Sequence, residues 1–226
     1  MKKFLFLVAA GMLFLGGSAQ AANFTTCGQS FSYGGPGQLT VTMLNNVNCT
    51  SGISYGVLLG SNIKLKLNGK TLTGVASING GIGVKVSGNN VNVEGPGIVQ
   101  GFTRGVWVAS GSPINLFSFT ARGSQSSSIV TLLGSATLVS GVLATDTNFG
   151  NGIHCSGPCT VSSSTLSDHV YDGVVCNGVL CSSYINTFSA NQSQDIEVRA
   201  GGNLNVEYRS CPHDINNIQS STVNLN

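Results

Sequence analysis

The chain has 226 residues, of which only 8% are charged, with ten Lys plus Arg against eight Asp plus Glu. Lys2 and Lys3 belong to an N-terminal secretion signal, so the remaining chain is formally neutral and carries no basic stripe that would argue for nucleic acid. Seven cysteines, all beyond that signal, point to an oxidising compartment in which disulfides persist.

Residues 1–21 read as the signal peptide: a basic start, an apolar stretch from Phe4 to Leu15, and Ala19-Gln20-Ala21 as the cleavage motif. The apolar stretch is too short to span a membrane. The uncharged run from Gly123 to Thr145, rich in Ser, Thr and Gly, fits buried strands better than a bilayer helix. The expectation is a secreted or periplasmic protein, released by cleavage near Ala21, with no membrane span in its mature form.

Residues 22–55 read as an N-terminal cap. Pro36-Gly37-Gln38-Leu39-Thr40-Val41 is a turn followed by a strand, and a Cys27–Cys49 bridge would tie the segment down. From Gly56 a short phrase recurs: Gly56-Val57-Leu58-Leu59, Gly83-Val84-Lys85-Val86, Gly105-Val106-Trp107-Val108, Ser128-Ile129-Val130-Thr131, Gly152-Ile153-His154-Cys155, Gly173-Val174-Val175-Cys176 and Asp195-Ile196-Glu197-Val198. Successive starts lie 27, 22, 23, 24, 21 and 22 residues apart. Residues 56–226 therefore read as an all-β parallel solenoid of about seven rungs, since no such unit can bury its apolar face alone. Alternation turns the Val, Ile and Leu columns inward and leaves Leu58, Lys85, Trp107, Val130, His154, Val175 and Glu197 as an outward column.

The four cysteines Cys155, Cys159, Cys176 and Cys181 flank equivalent turns on two successive rungs. Either each pair staples its own turn, or Cys155 meets Cys176 and Cys159 meets Cys181. The awkward in-register geometry of the second arrangement favours the staples. Cys211 is left over, with His213 beside it.

The stretches Gly60-Ser61-Asn62-Ile63-Lys64-Leu65-Lys66-Leu67-Asn68-Gly69 and Asn90-Val91-Asn92-Val93-Glu94-Gly95-Pro96-Gly97-Ile98-Val99-Gln100-Gly101-Phe102, followed by Gly105-Val106, resemble right-handed parallel β-helix repeat proteins. The resemblance covers nearly all of the chain after the signal. It implies the single-stranded right-handed β-helix shared with pectate lyases and related polysaccharide-degrading enzymes, and a groove over one outer sheet face. The same scaffold also carries adhesins and proteins without a reaction. Neither the polygalacturonase motifs in order nor a mid-rod arginine beside several acids is present. Pro212-His213-Asp214 is a faint echo of an epimerase motif.

On that face Trp107, the only tryptophan, is expected to stand exposed as a platform for a sugar ring, with Lys85, Arg104 and Glu197 as further ligand-binding residues. Asp168 and Asp172, in the turn before the Gly173 strand, and His154 form a candidate catalytic group for acid–base work. Stacking should set Asp172 against Asn151 and Gln194. No dedicated metal site or cofactor is expected, although the same acids could hold Ca2+ through oxygen ligands. The function expected is binding of extended polysaccharide or cell-surface glycan by a divergent carbohydrate-active protein; as an enzyme it would be a polysaccharide lyase or glycoside hydrolase. The alternative is a structural or adhesive surface protein that binds other proteins. Weak self-association would suit the charge distribution: from residue 22 to Arg122 there are six bases and one acid, and beyond it seven acids and two bases.

Overall fold

The computed structural model describes residues 20–50, 52–75, 81–132, 135–199, 201–206, 215–217 and 222–225. Every strand pair in it is parallel, and the described residues contain no helix. The chain winds as a solenoid of about eight turns whose strands form three long sheets. Sheet A has ten strands, sheet B nine and sheet C seven. One rung runs, for example, from Val91–Glu94 in sheet A through Gly97–Gln100 in sheet C to Arg104–Val108 in sheet B. Segments of the N-terminal cap join the same sheets: Ala21–Phe24 and Leu39–Met43 enter sheet A, and Gln29–Phe31 enters sheet B. Residues 1–19 of the expected signal segment and Cys211 to Asp214 lie outside the described residues, whereas Ala21, at the expected cleavage point, opens the first strand of sheet A.

Alternation builds the core. Val57, Val84, Val106, Ile129, Ile153, Val174 and Ile196 form one inward column of sheet B, all buried. Leu72, Val99, Ala121, Ala144, Leu166 and Phe188 form the inward column of sheet C in unbroken register. Each removes apolar surface from water at about 25 cal/mol per Å2, and only the neighbouring rungs make that burial complete.

The glycine that opens the recurring phrase has a steric cause. At Gly83 a Cβ would stand 2.5 Å from the Gly105 carbonyl oxygen and 2.4 Å from Val99 Cγ1. The corner that closes each sheet C strand has a conformational one. Gly101, Gly123, Asp146, Asp168 and Ala190 stack there 22 or 23 residues apart, all with φ between 53° and 69°. This is the left-handed region, where Gly and Asp are tolerated best.

The disulfides follow the turn-staple arrangement. Cys27–Cys49, Cys155–Cys159 and Cys176–Cys181 are bonded, with Cα separations of 5.5, 6.1 and 6.2 Å. Cys155 and Cys176 are in-register neighbours in sheet B, as are Cys159 and Cys181 in sheet A. These bridges and the lack of any described helix long and apolar enough to cross a membrane are compatible with a secreted or periplasmic protein.

Candidate functional site

The outer column of sheet B runs in the register that alternation predicts: Leu58, Lys85, Trp107, Val130, His154, Val175 and Glu197 are successive partners. Its two ends differ in chemistry. At one end, Lys85 Nζ lies 5.3 Å and the Arg104 guanidinium 5.2 Å from the centre of the Trp107 ring. Both distances are those of cation–π contacts. Trp107 is half-buried rather than freely exposed, because these two long side chains lie over it.

At the other end Asp172, Glu197 and Arg199 form one hydrogen-bonded group. Arg199 Nη2 donates to Glu197 Oε2 and stands 3.8 Å from Asp172 Oδ2. Asp172 and Glu197 are hydrogen-bonded to each other through their side chains. The turns around Asp172 stack as expected: its backbone N–H donates to Asn151 Oδ1 (3.1 Å), and the Gln194 N–H donates to its Oδ1 (3.1 Å). Both carboxylates are buried, at 3% and 8% side-chain exposure, whereas Arg199 is 43% exposed and is the part of the group that solvent reaches. Glu197 therefore does not present a free carboxylate on the outer face. Arg199 was not singled out from sequence, but its position two residues after Glu197, on the same face of an alternating strand, was the available signal.

The two acids are driven apart in proton affinity. Burial raises the Asp172 carboxyl to about 6, and the hydrogen bond and charge of Glu197 add to the effect. Burial acts in the same direction on Glu197, but hydrogen bonds from Arg199 and Asp172 and the Arg199 charge outweigh it and hold Glu197 below its usual value. Of the two, Asp172 is therefore the one that takes up a proton first as the pH falls. His154, two rungs below Glu197 across Val175, is lowered by burial and by Arg199 against the opposing pull of Glu197.

Asp168 does not join this group. It occupies the left-handed corner of the rung on the sheet C side, exposed, where its Oδ2 accepts a hydrogen bond from Thr145 Oγ1 at 3.3 Å. His169, next in sequence, turns fully inward, and Thr147 Oγ1 lies 3.0 Å from its Nδ1. Because that hydroxyl donates to the Gly150 carbonyl at 2.6 Å, Nδ1 must carry the hydrogen. Nε2 finds no hydrogen-bond partner among the described residues, and burial lowers the imidazole to about 4. Among the described residues no three His, Cys, Asp or Glu side chains gather as a metal-ligand set.

No family model matches the chain, and no curated protein matches it. Among solved structures, the enzymatically active domain of tailspike protein 2 of bacteriophage CBA120 is similar, with a TM-score of 0.58 and 10% identity over 92% of this chain and 42% of that one. This chain thus spans less than half the length of the tailspike domain. The A-module of the mannuronan C-5 epimerase of Azotobacter vinelandii aligns at 9% identity over 84% of this chain and 89% of that one, with a TM-score of 0.31. The protein is a parallel β-solenoid of the β-helix class, and at these identities the likeness defines architecture alone.

Proposed function

We propose that the outer face of sheet B binds an extended acidic polysaccharide, with Trp107 and its two cations at one end and Arg199, backed by the Asp172–Glu197 pair, at the other. The observation that supports this most directly is the half-exposed Arg199 guanidinium held at the outer face over the buried Asp172 and Glu197 carboxyls. Lys85, Arg104 and Arg199 supply the cations for uronate carboxylates, and the indole supplies a face for a sugar ring. Fold likeness to an enzymatically active tailspike domain is in keeping with this reading. If the site is catalytic, Asp172 is the proton donor, and Arg199 must swing away to expose it.

Titration with a soluble polyuronate and with a neutral glucan, read by fluorescence of the single tryptophan and by calorimetry, tests the proposal. Saturable binding of the polyuronate is expected, with at least five-fold weaker calorimetric affinity in Trp107→Ala and in Arg199→Ala. Absence of heat and of any spectral change with either polymer defeats it.

The alternative, adhesion between rods, is supported by the charge distribution. Sequence order is axial order in a solenoid, so the early rungs are basic and the late ones acidic. Sedimentation showing assembly at low salt that dissolves at high salt would favour that reading.

A further inference from the structure

Along the edge where sheet C hands over to sheet B, the turns carry two of the most exposed aromatic side chains of the described residues. Phe149 is 69% exposed and Tyr171 51%. They sit on successive rungs, and Tyr171 immediately precedes Asp172.

The exposure of Phe149 has a local cause. Hydrogen bonds from Asn148 N to Ser124 O (3.0 Å) and from Ser128 N to Asn151 O (3.2 Å) align Asn148 with Gln125 and Gly152 with Ser128. Residues 149–151 must therefore span what 126–127 span one rung earlier. The surplus is accommodated at Gly150, which passes so close to Ser126 that a Cβ there would stand 1.2 Å from its carbonyl oxygen. Phe149 is pushed outward as the chain is pulled in. Beside it lies a shallow, open recess of about 400 Å3 lined by Thr103, Gln125, Ser126 and Phe149. Rungs are about 4.8 Å apart, so Thr103 to Phe149 covers about 10 Å along the rod.

We propose that this recess is a second binding position on the same glycan track, taking one uncharged face of a sugar ring against Phe149 while Gln125, Ser126 and Thr103 meet its hydroxyls. The inference rests on the polysaccharide reading of sheet B and extends it. Thr103 precedes Arg104, which covers Trp107, and the next rung beyond Phe149 brings Tyr171 and Asp172. A chain lying parallel to the rod axis would cross the recess and Tyr171 before reaching the Asp172–Glu197 pair. The combination of one exposed aromatic face with the neutral amide of Gln125 and hydroxyl of Ser126 suits a carbohydrate: an apolar peptide would offer these two groups no hydrogen bond, and a phosphate would find no cation in the lining.

The test is calorimetric titration of the full chain with a (1→4)-linked uronate hexasaccharide. Phe149→Ala should weaken binding about five-fold, Gln125→Ala by a smaller factor, and Phe149→Tyr should retain wild-type affinity. Because Phe149 is so exposed, its removal should leave thermal unfolding unchanged, so a loss of affinity reports contact rather than misfolding. Wild-type binding that is undiminished in both Phe149→Ala and Gln125→Ala overturns the second position and leaves the sheet B reading standing. A wild-type protein that binds no hexasaccharide overturns both.

Discussion

His169 and Asp172 are buried three residues apart on one rung, and burial drives their proton affinities in opposite directions. His169 falls from 6.5 to about 4, while Asp172 rises from 3.8 to about 6 and keeps its proton only until the pH nears that value. Between roughly pH 4 and 6.5 the unfolded chain binds the extra proton at His169, so that residue makes stability rise with pH. Between 3.8 and about 6 the folded chain binds the extra proton at Asp172, so that residue makes stability fall with pH. Each effect amounts to about 3 kcal/mol over its window, and the two oppose each other, while the lowered His154 adds to the rise with pH. The wild-type protein should therefore gain stability only shallowly from pH 4.5 to 6.5 in denaturant unfolding. Asp172→Asn should steepen that gain, and His169→Gln should lose it. A flat profile in Asp172→Asn would refute this opposition of His169 and Asp172.

The proton on Asp172 depends partly on its neighbour. Replacing Glu197 with Gln removes the adjacent negative charge but leaves the burial of Asp172 in place. The Asp172 carboxyl should therefore titrate lower in Glu197→Gln than in the wild type, yet still above an exposed aspartate. Carbon-detected NMR titration reads this directly, and an Asp172 titration unmoved by the substitution would mean that the two side chains are not coupled.

The fold was legible because its cause is periodic. A 22-residue spacing places every Val106-like position over its counterpart, and the register from Leu58 to Glu197 followed from alternation alone. The turn chemistry around Asp172 was legible for the same reason. Departures from the period were not. Asp168 and Asp172 look like one cluster in sequence, but the corner residue in the left-handed conformation sends Asp168 to the outside of sheet C and His169 into the core. Phe149 was overlooked because its exposure arises from a one-residue surplus in a turn, which a repeat pattern averages away. The burial of Glu197 was hidden too, since it requires a long side chain, Arg199, to fold back over the strand.

One corner carries a residue that the conformation disfavours. Ser118, Gly141, Ser163 and Ile185 stack where sheet A passes to sheet C, all at positive φ, and Ile185 has φ of 52° with 54% of its surface exposed. A β-branched residue in the left-handed region costs about 1–2 kcal/mol, and little burial offsets it here. Ile185→Gly should stabilise the protein by about 1 kcal/mol even after the added freedom of the unfolded chain. Chemical denaturation that shows a loss instead would mean that the exposed isoleucine makes apolar contacts outweighing its backbone strain.

Gly83 should tolerate no side chain, and here the obstacle is space rather than conformation. Its Cβ would meet the Gly105 carbonyl of the next rung and the Val99 side chain at once. The carbonyl is held in the sheet B ladder and cannot retreat without parting two rungs. Gly83→Ala should therefore cost about 2–3 kcal/mol, in the range of an overpacked core. Gly69, whose position has open space around it, gives the contrast: with φ of 71°, Gly69→Ala should lose only about 1 kcal/mol from backbone strain. Equal losses at the two sites would show that rung-to-rung contact is not what keeps glycine at the head of the recurring phrase.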